Sequence, residues 1–194
     1  MMQATADQKE EFIKFRESCI WLQNCFNIFE NLYNSGDSTE ATLRTVAPVF
    51  FSDLNIILQE YFFLQIRKIS DPAGTNGREN MSLPFINKGL RESGLMTDEI
   101  EVRTKRMLAY REVEVEAANR VIAHADKHTA LLGESLGAHE KSLLESFMQD
   151  LRDYTDAVGN AIGVGPLDYR TQAGPGDVQD LIRVLKRSGN PRGH

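Results

Sequence analysis

The 194-residue chain carries 22 Lys and Arg against 28 Asp and Glu, a formal net charge of -6, with 41% hydrophobic residues, ordinary values for a globular protein. That balance argues against a broad phosphate-binding surface of the kind non-specific DNA-binding proteins use, leaving Arg67, Lys68, Arg78, Lys88 and Arg91, and separately Arg103, Lys105, Arg106 and Arg111, as candidates for a small local basic site, and no apolar run approaches the ~18 residues of a membrane span. With neither a linker nor a composition shift, the chain reads as one domain over 1–194 with short flexible ends, about 1–6 and 188–194, and without a secretory leader before Asp7 a cytoplasmic location is the expectation.

From Asp7 to about Asn34, Phe12, Phe15, Cys19, Leu22, Phe26, Phe29 and Leu32 recur at threes and fours, which predicts a helix with an aromatic core stripe, stopped by Asn34-Ser35-Gly36-Asp37. Cys19 and Cys25 are six apart on that helix, on directions about 120° different, and read as reduced core thiols. Ser38 or Thr39 is placed to cap a second helix, and Pro48 breaks the pattern at Ala47. From Phe50 to Ile69 the sequence is apolar on more than one face, as expected of a central helix covered by neighbours, with Arg67 and Lys68 at its end.

Ser70 to Asn80 is dense in turn formers and reads as an exposed loop. Ser82 before Leu83-Pro84 opens a short helix to about Ser93, ended at Gly94. Thr97-Asp98-Glu99 then caps a long helix whose apolar stripe includes Ile100, Met107, Leu108, Ala118 and Ile122. Past Gly133 and Gly137 a further amphipathic helix spans about His139 to Val158, and Asp177 caps a last one, Val178 to Arg187, whose Leu181, Ile182 and Leu185 dock on the bundle. The expected architecture is all-α, an up-and-down bundle of five or six helices.

The chemically capable stretch is Ala117 to Asp126, near the end of the long helix. Arg120 and His124 are four apart and share a semi-apolar face with Val113, Ala117 and Val121, a setting that either satisfies a packed histidine or displaces its pKa. That face is also the expected self-association surface. His124 and His128 with Asp126 offer no complete ligand set for a metal, and no Gly-rich phosphate loop is present, so no metal and no cofactor is expected. What remains is metal-independent acid/base work by histidine beside a cation, of which RNA strand scission is the simplest case.

Phe51 to Phe62, Ile66-Arg67-Lys68-Ile69-Ser70-Asp71-Pro72 with Asn80 and Ser82-Leu83, and Asn119-Arg120-Val121-Ile122-Ala123-His124-Ala125-Asp126 resemble the HEPN superfamily, in its abortive-infection AbiU-like branch. The resemblance implies a HEPN-like helical domain that forms homodimers, binds RNA and works beside an antitoxin or other protein partner. Many such domains are metal-independent RNases built on an Arg-Asn-x-x-x-x-His motif. Asn119 and His124 match it as site residues, and Ala118 stands where arginine is expected, so the phosphate-binding guanidinium must come from Arg120, Arg67 or a second subunit. Asp126 and His128 join Arg67 as candidate RNA contacts. Two functions follow: a defence or toxin-antitoxin endoribonuclease, or a non-catalytic HEPN-like interaction or nucleotide-binding module.

Overall fold

The computed structural model describes residues 3–75, 77–123, 141–167 and 174–188, with backbone alone at 75, 114–123 and 141. The fold is all-α, as expected. Its described helices are α1 (Ala6–Tyr33), α2 (Asp37–Val46), α3 (Pro48–Ser70), α4 (Leu83–Glu92), α5 (Asp98–Ala123), α6 (Lys141–Ile162) and α7 (Val178–Ser188). The loop expected over Ser70–Asn80 holds a minimal antiparallel hairpin, pairing Gly74 with Glu79 and Thr75 with Arg78. No single helix among the described residues is long and apolar enough to cross a membrane.

Local chemistry accounts for most helix ends. Thr5 and Gln8 form a reciprocal capping box on α1: the Gln8 N–H donates to Thr5 Oγ1 at 3.2 Å and the Thr5 N–H to Gln8 Oε1 at 3.0 Å. Helix α2 starts after Gly36, whose φ of 101° is costly for other residues, and not at a Ser38 or Thr39 cap; Thr39 is buried instead. Ala47 ends α2 and Pro48 opens α3, its missing N–H costing nothing in a first turn. Ser82 stands at the N-cap of α4 with extended backbone but makes no side-chain cap bond, its hydroxyl buried without a hydrogen-bond partner. Thr97 does cap α5, accepting the Ile100 N–H, and Asp177 caps α7, accepting from Gln179 and Asp180 at 2.9 and 3.0 Å.

The chain divides into two compact units, each described by itself: residues 1–19 with 65–167, and residues 20–64 with 168–194. In the first, Phe12, Phe15, Ile66, Ile69, Leu83, Ile100, Met107, Phe147, Leu151 and Tyr154 form a buried core. A polar chain crosses it: Tyr154 OH donates to Asn87 Oδ1 and Asn87 Nδ2 to Thr104 Oγ1, both at 2.9 Å. In the second, Leu32, Leu43 and Phe51 are packed by Val178, Ile182 and Leu185 of α7. Leu181, expected in that contact, is exposed, and Val178 takes its place.

Candidate functional site

The site suggested by the sequence lies on α5, so what holds this helix decides what it can present. Along its first half α5 is tied to α6. Arg103 Nη1 donates to Asp150 at 2.8 Å and its Nη2 approaches Asp153 at 3.0 Å, while Arg106 reaches Asp150 at 3.5 Å. Asp150 is buried, so this pair is screened less than a surface pair, and its hydrogen bond to Arg103 raises the guanidinium pKa further, leaving a permanent cation. One turn later Tyr110 stacks on Phe147, ring centroids 4.9 Å apart.

The next residue turns the other way. Arg111 Nη2 lies 3.5 Å from Asp71 Oδ1, longer than a well-formed charge-assisted bond, and Arg111 Nε is buried with no hydrogen-bond partner. Asp71 closes the run Ile66-Arg67-Lys68-Ile69-Ser70-Asp71: Ile66, Ile69 and Ser70 face inward, whereas Arg67 and Lys68 are exposed in the last turn of α3. Asn80 donates to the Pro72 carbonyl at 2.8 Å, closing the base of the hairpin. The buried hydroxyl of Ser70, two residues before Pro72, has no hydrogen-bond partner. Polar groups with unused hydrogen-bonding capacity thus gather where the end of α3 meets α5.

Of the nominated residues, Arg67 is exposed on α3. Asn119 and Arg120 fall in the helical backbone of α5, where side chains are not described, and His124, Asp126 and His128 lie outside the described residues. The face of Val113, Ala117 and Val121 is described only at Val113, which is exposed. Sequence reasoning grouped Arg103, Lys105, Arg106 and Arg111 as one basic patch; three of them are engaged by Asp150, Asp153 and Asp71 instead, leaving Lys105 exposed. It also passed over Asp71 as a partner for α5. The available signal is register: Arg111 precedes position 118 by two helical turns, about 10.5 Å along the same face of α5.

No group of three His, Cys, Asp or Glu side chains among the described residues forms a metal site. Cys19 and Cys25 are free and buried, and burial raises both thiol pKa values, which leaves them poor nucleophiles. A cavity of about 210 Å³ in the first unit is bordered by Gln8, Glu11, Glu79, Lys88 and Glu92 over Phe12 and Ile86, and none of the nominated site residues lines it.

Comparison with curated proteins and with solved structures found no match. The family model HEPN_AbiU2, described as AbiU2, matches residues 6–181, from the first residue of α1 into the first turn of α7. The chain therefore belongs to the AbiU2 family of HEPN domains, associated with abortive infection.

Proposed function

We propose that this domain is a metal-independent endoribonuclease of a bacterial defence or toxin-antitoxin system, acting on RNA in the cytoplasm as a homodimer, with an antitoxin or other protein as its partner. His124 takes the proton of the attacking 2′-hydroxyl, Asn119 orients the phosphodiester, a guanidinium from Arg120 or Arg67, or from a second subunit, stabilises the phosphorane, and the P–O5′ bond then breaks as the protonated His124 returns the proton to the departing 5′-oxygen, leaving a 2′,3′-cyclic phosphate. The single observation that carries this reading is α5: one helix described from Asp98 to Ala123, pinned to α6 by Arg103, with Asn119 on its backbone and His124 next in sequence after its last described residue. Asp126 and His128 follow within four residues as further RNA contacts.

Ala118 is the specific observation that favours the second reading, a HEPN-like module that binds RNA or a protein without cutting, because the phosphate has lost its cation at that position. The deciding experiment incubates labelled single-stranded RNA with the full chain in EDTA. Cleavage that persists in EDTA and is lost in His124→Ala, by ~10²–10⁴ for one positioned acid/base group, supports the nuclease. Where the native chain is silent, Ala118→Arg restoring cleavage identifies a scaffold that lacks one cation. Silence of both, with the fold intact by circular dichroism, assigns the binding module.

A further inference from the structure

The feature of the fold that the RNase reading leaves unused is the outer face of α3 in the second unit. Val49, Phe50, Ile56, Ile57 and Leu64 are 72, 60, 51, 58 and 60% exposed, and their spacing puts them in one sector of the helix about 120° wide. Trp21, 54% exposed, donates its Nε1–H to Tyr61 OH at 2.6 Å and widens that surface. At ~150–250 Å² for each large side chain, these exposures amount to roughly 500–900 Å². That reaches or passes the ~300–600 Å² of the largest apolar patch of an ordinary monomer and is of the order of the ~800 Å² each partner gives to a standard interface. Because it runs along one helix in a single sector, a single helix is the shape of partner it fits.

Charge identifies the chemistry. Asp53 and Glu60 are exposed in the middle of the sector, flanked by Phe50, Ile56 and Ile57, and neither forms an ion pair with a described residue. Over residues 20–64 the acids Glu30, Asp37, Glu40, Asp53 and Glu60 face one base, Arg44, which Glu40 already holds at 2.7 Å. An anionic membrane or RNA would be repelled here. A second copy pairing α3 with α3 across a two-fold axis would bring Asp53 and Glu60 against their own counterparts. The same unit also carries a precedent, since α7, with Arg183, Lys186 and Arg187 on its polar side, lays Val178, Ile182 and Leu185 onto Leu32, Leu43 and Phe51.

We infer that the outer face of α3 is the docking site for a basic amphipathic helix of a partner protein, its apolar residues on Phe50, Ile57 and Leu64 and its lysines or arginines on Asp53 and Glu60. This inference is independent of whether the domain cuts RNA. The probe is a labelled four-turn model peptide with leucines at i, i+3, i+4 and i+7 and lysines elsewhere, titrated with the full chain by fluorescence anisotropy, beside a leucine/glutamate counterpart. The lysine peptide binds saturably at micromolar concentration, and raising salt from ~0.05 to ~0.5 M weakens it at least tenfold. Ile57→Asp removes binding, and Asp53→Lys with Glu60→Lys transfers preference to the glutamate peptide, both with unchanged thermal melting because all three positions are exposed. No saturation below ~1 mM overturns the inference, as does equal binding to native and charge-reversed chains. Light scattering that shows a dimer abolished by Ile57→Asp reassigns the face to a second copy, and Ile57-dependent binding to anionic vesicles reassigns it to a membrane.

Discussion

Gly159→Ala tests how the C-terminal end of α6 is built. A Cβ at this buried position, near the end of the helix, would stand 2.2 Å from the Gly165 carbonyl oxygen and 3.1 Å from its carbon, and backbone cannot retreat as a flexible side chain does. Relieving the contact requires the Gly163–Gly165 turn to move by about 1 Å, given that real Cβ contacts stay beyond 3.0 Å. That turn is held by the Val164 and Gly165 N–H groups, which donate to the Gly159 carbonyl at 2.9 and 3.0 Å, and by Arg16, which donates to the Gly165 carbonyl at 3.1 Å. Three bonds at a net ~0.5–1.5 kcal/mol each are strained, while alanine returns roughly 1 kcal/mol of helix propensity. The expected result is a net loss of about 1–3 kcal/mol, the usual range for overpacking. In urea this moves the unfolding midpoint down by about 1 M at unchanged slope. Gly163→Ala, with φ of +76° and no backbone nearby, is the control for conformational strain alone. A Gly159→Ala chain as stable as the native one, or losing no more than Gly163→Ala, would refute the reasoning.

Tyr154→Phe leaves Asn87 Oδ1 without its donor inside the core and should cost about 1–3 kcal/mol in denaturant melts, more than an exposed tyrosine's loss; an unchanged midpoint contradicts the network. Glu11 has its pKa raised first by burial and then by Asp7 and Glu79, so the folded state holds the proton more tightly than the unfolded one. Its penalty is therefore present at neutral pH and relieved as pH falls through the raised value towards 4.5, and Glu11→Gln should stabilise slightly at pH 7, by no more than about 0.5 kcal/mol, with the gain vanishing in acid. Cys19, fully buried with its thiol pKa pushed up by burial, should resist iodoacetamide at pH 8 and react only after unfolding; rapid native labelling, read by mass spectrometry, would contradict its placement.

Legibility in the sequence followed the distance over which the physics acts. The break at Ala47-Pro48 and the Thr97 and Asp177 caps are set within a few residues and could be read directly, whereas the helix expected to end at Val158 runs on through Gly159 to Ile162. The Thr5-x-x-Gln8 capping box was equally local, yet was passed over because Asp7 drew the start of the helix. The outer face of α3 failed for a different reason. Periodicity counts apolar sectors but says nothing about whether a neighbour covers each, so Phe50, Ile57 and Leu64 read as core and stand exposed. Long-range pairing failed likewise: Arg103 and Asp150 are 47 residues apart, and a basic cluster on one helix looks the same whether or not acids meet it in the fold.

The pinning of α5 has a bearing on what Ala118 means. A family arginine at that position would rise from a helix fixed by Arg103 and Tyr110 on one side and Arg111 on the other, so its reach would be set in advance of any ligand. Replacement by Arg67 is a different arrangement, since it is exposed on α3 and its side chain is not committed to an ion pair with any described residue; ordering it on a phosphate costs side-chain entropy that a packed arginine has already lost. Arg111 is packed, but its Nη2 faces Asp71 Oδ1 at 3.5 Å, so full use of its fork for phosphate requires the carboxylate to yield. Neither substitute combines a fixed position with a free fork. A chain that depends on Arg67 or Arg111 with Ala118 in place should therefore cut RNA slowly, and Ala118→Arg should raise the rate in kcat more than it lowers KM, because a preorganised cation contributes most where charge develops in the transition state.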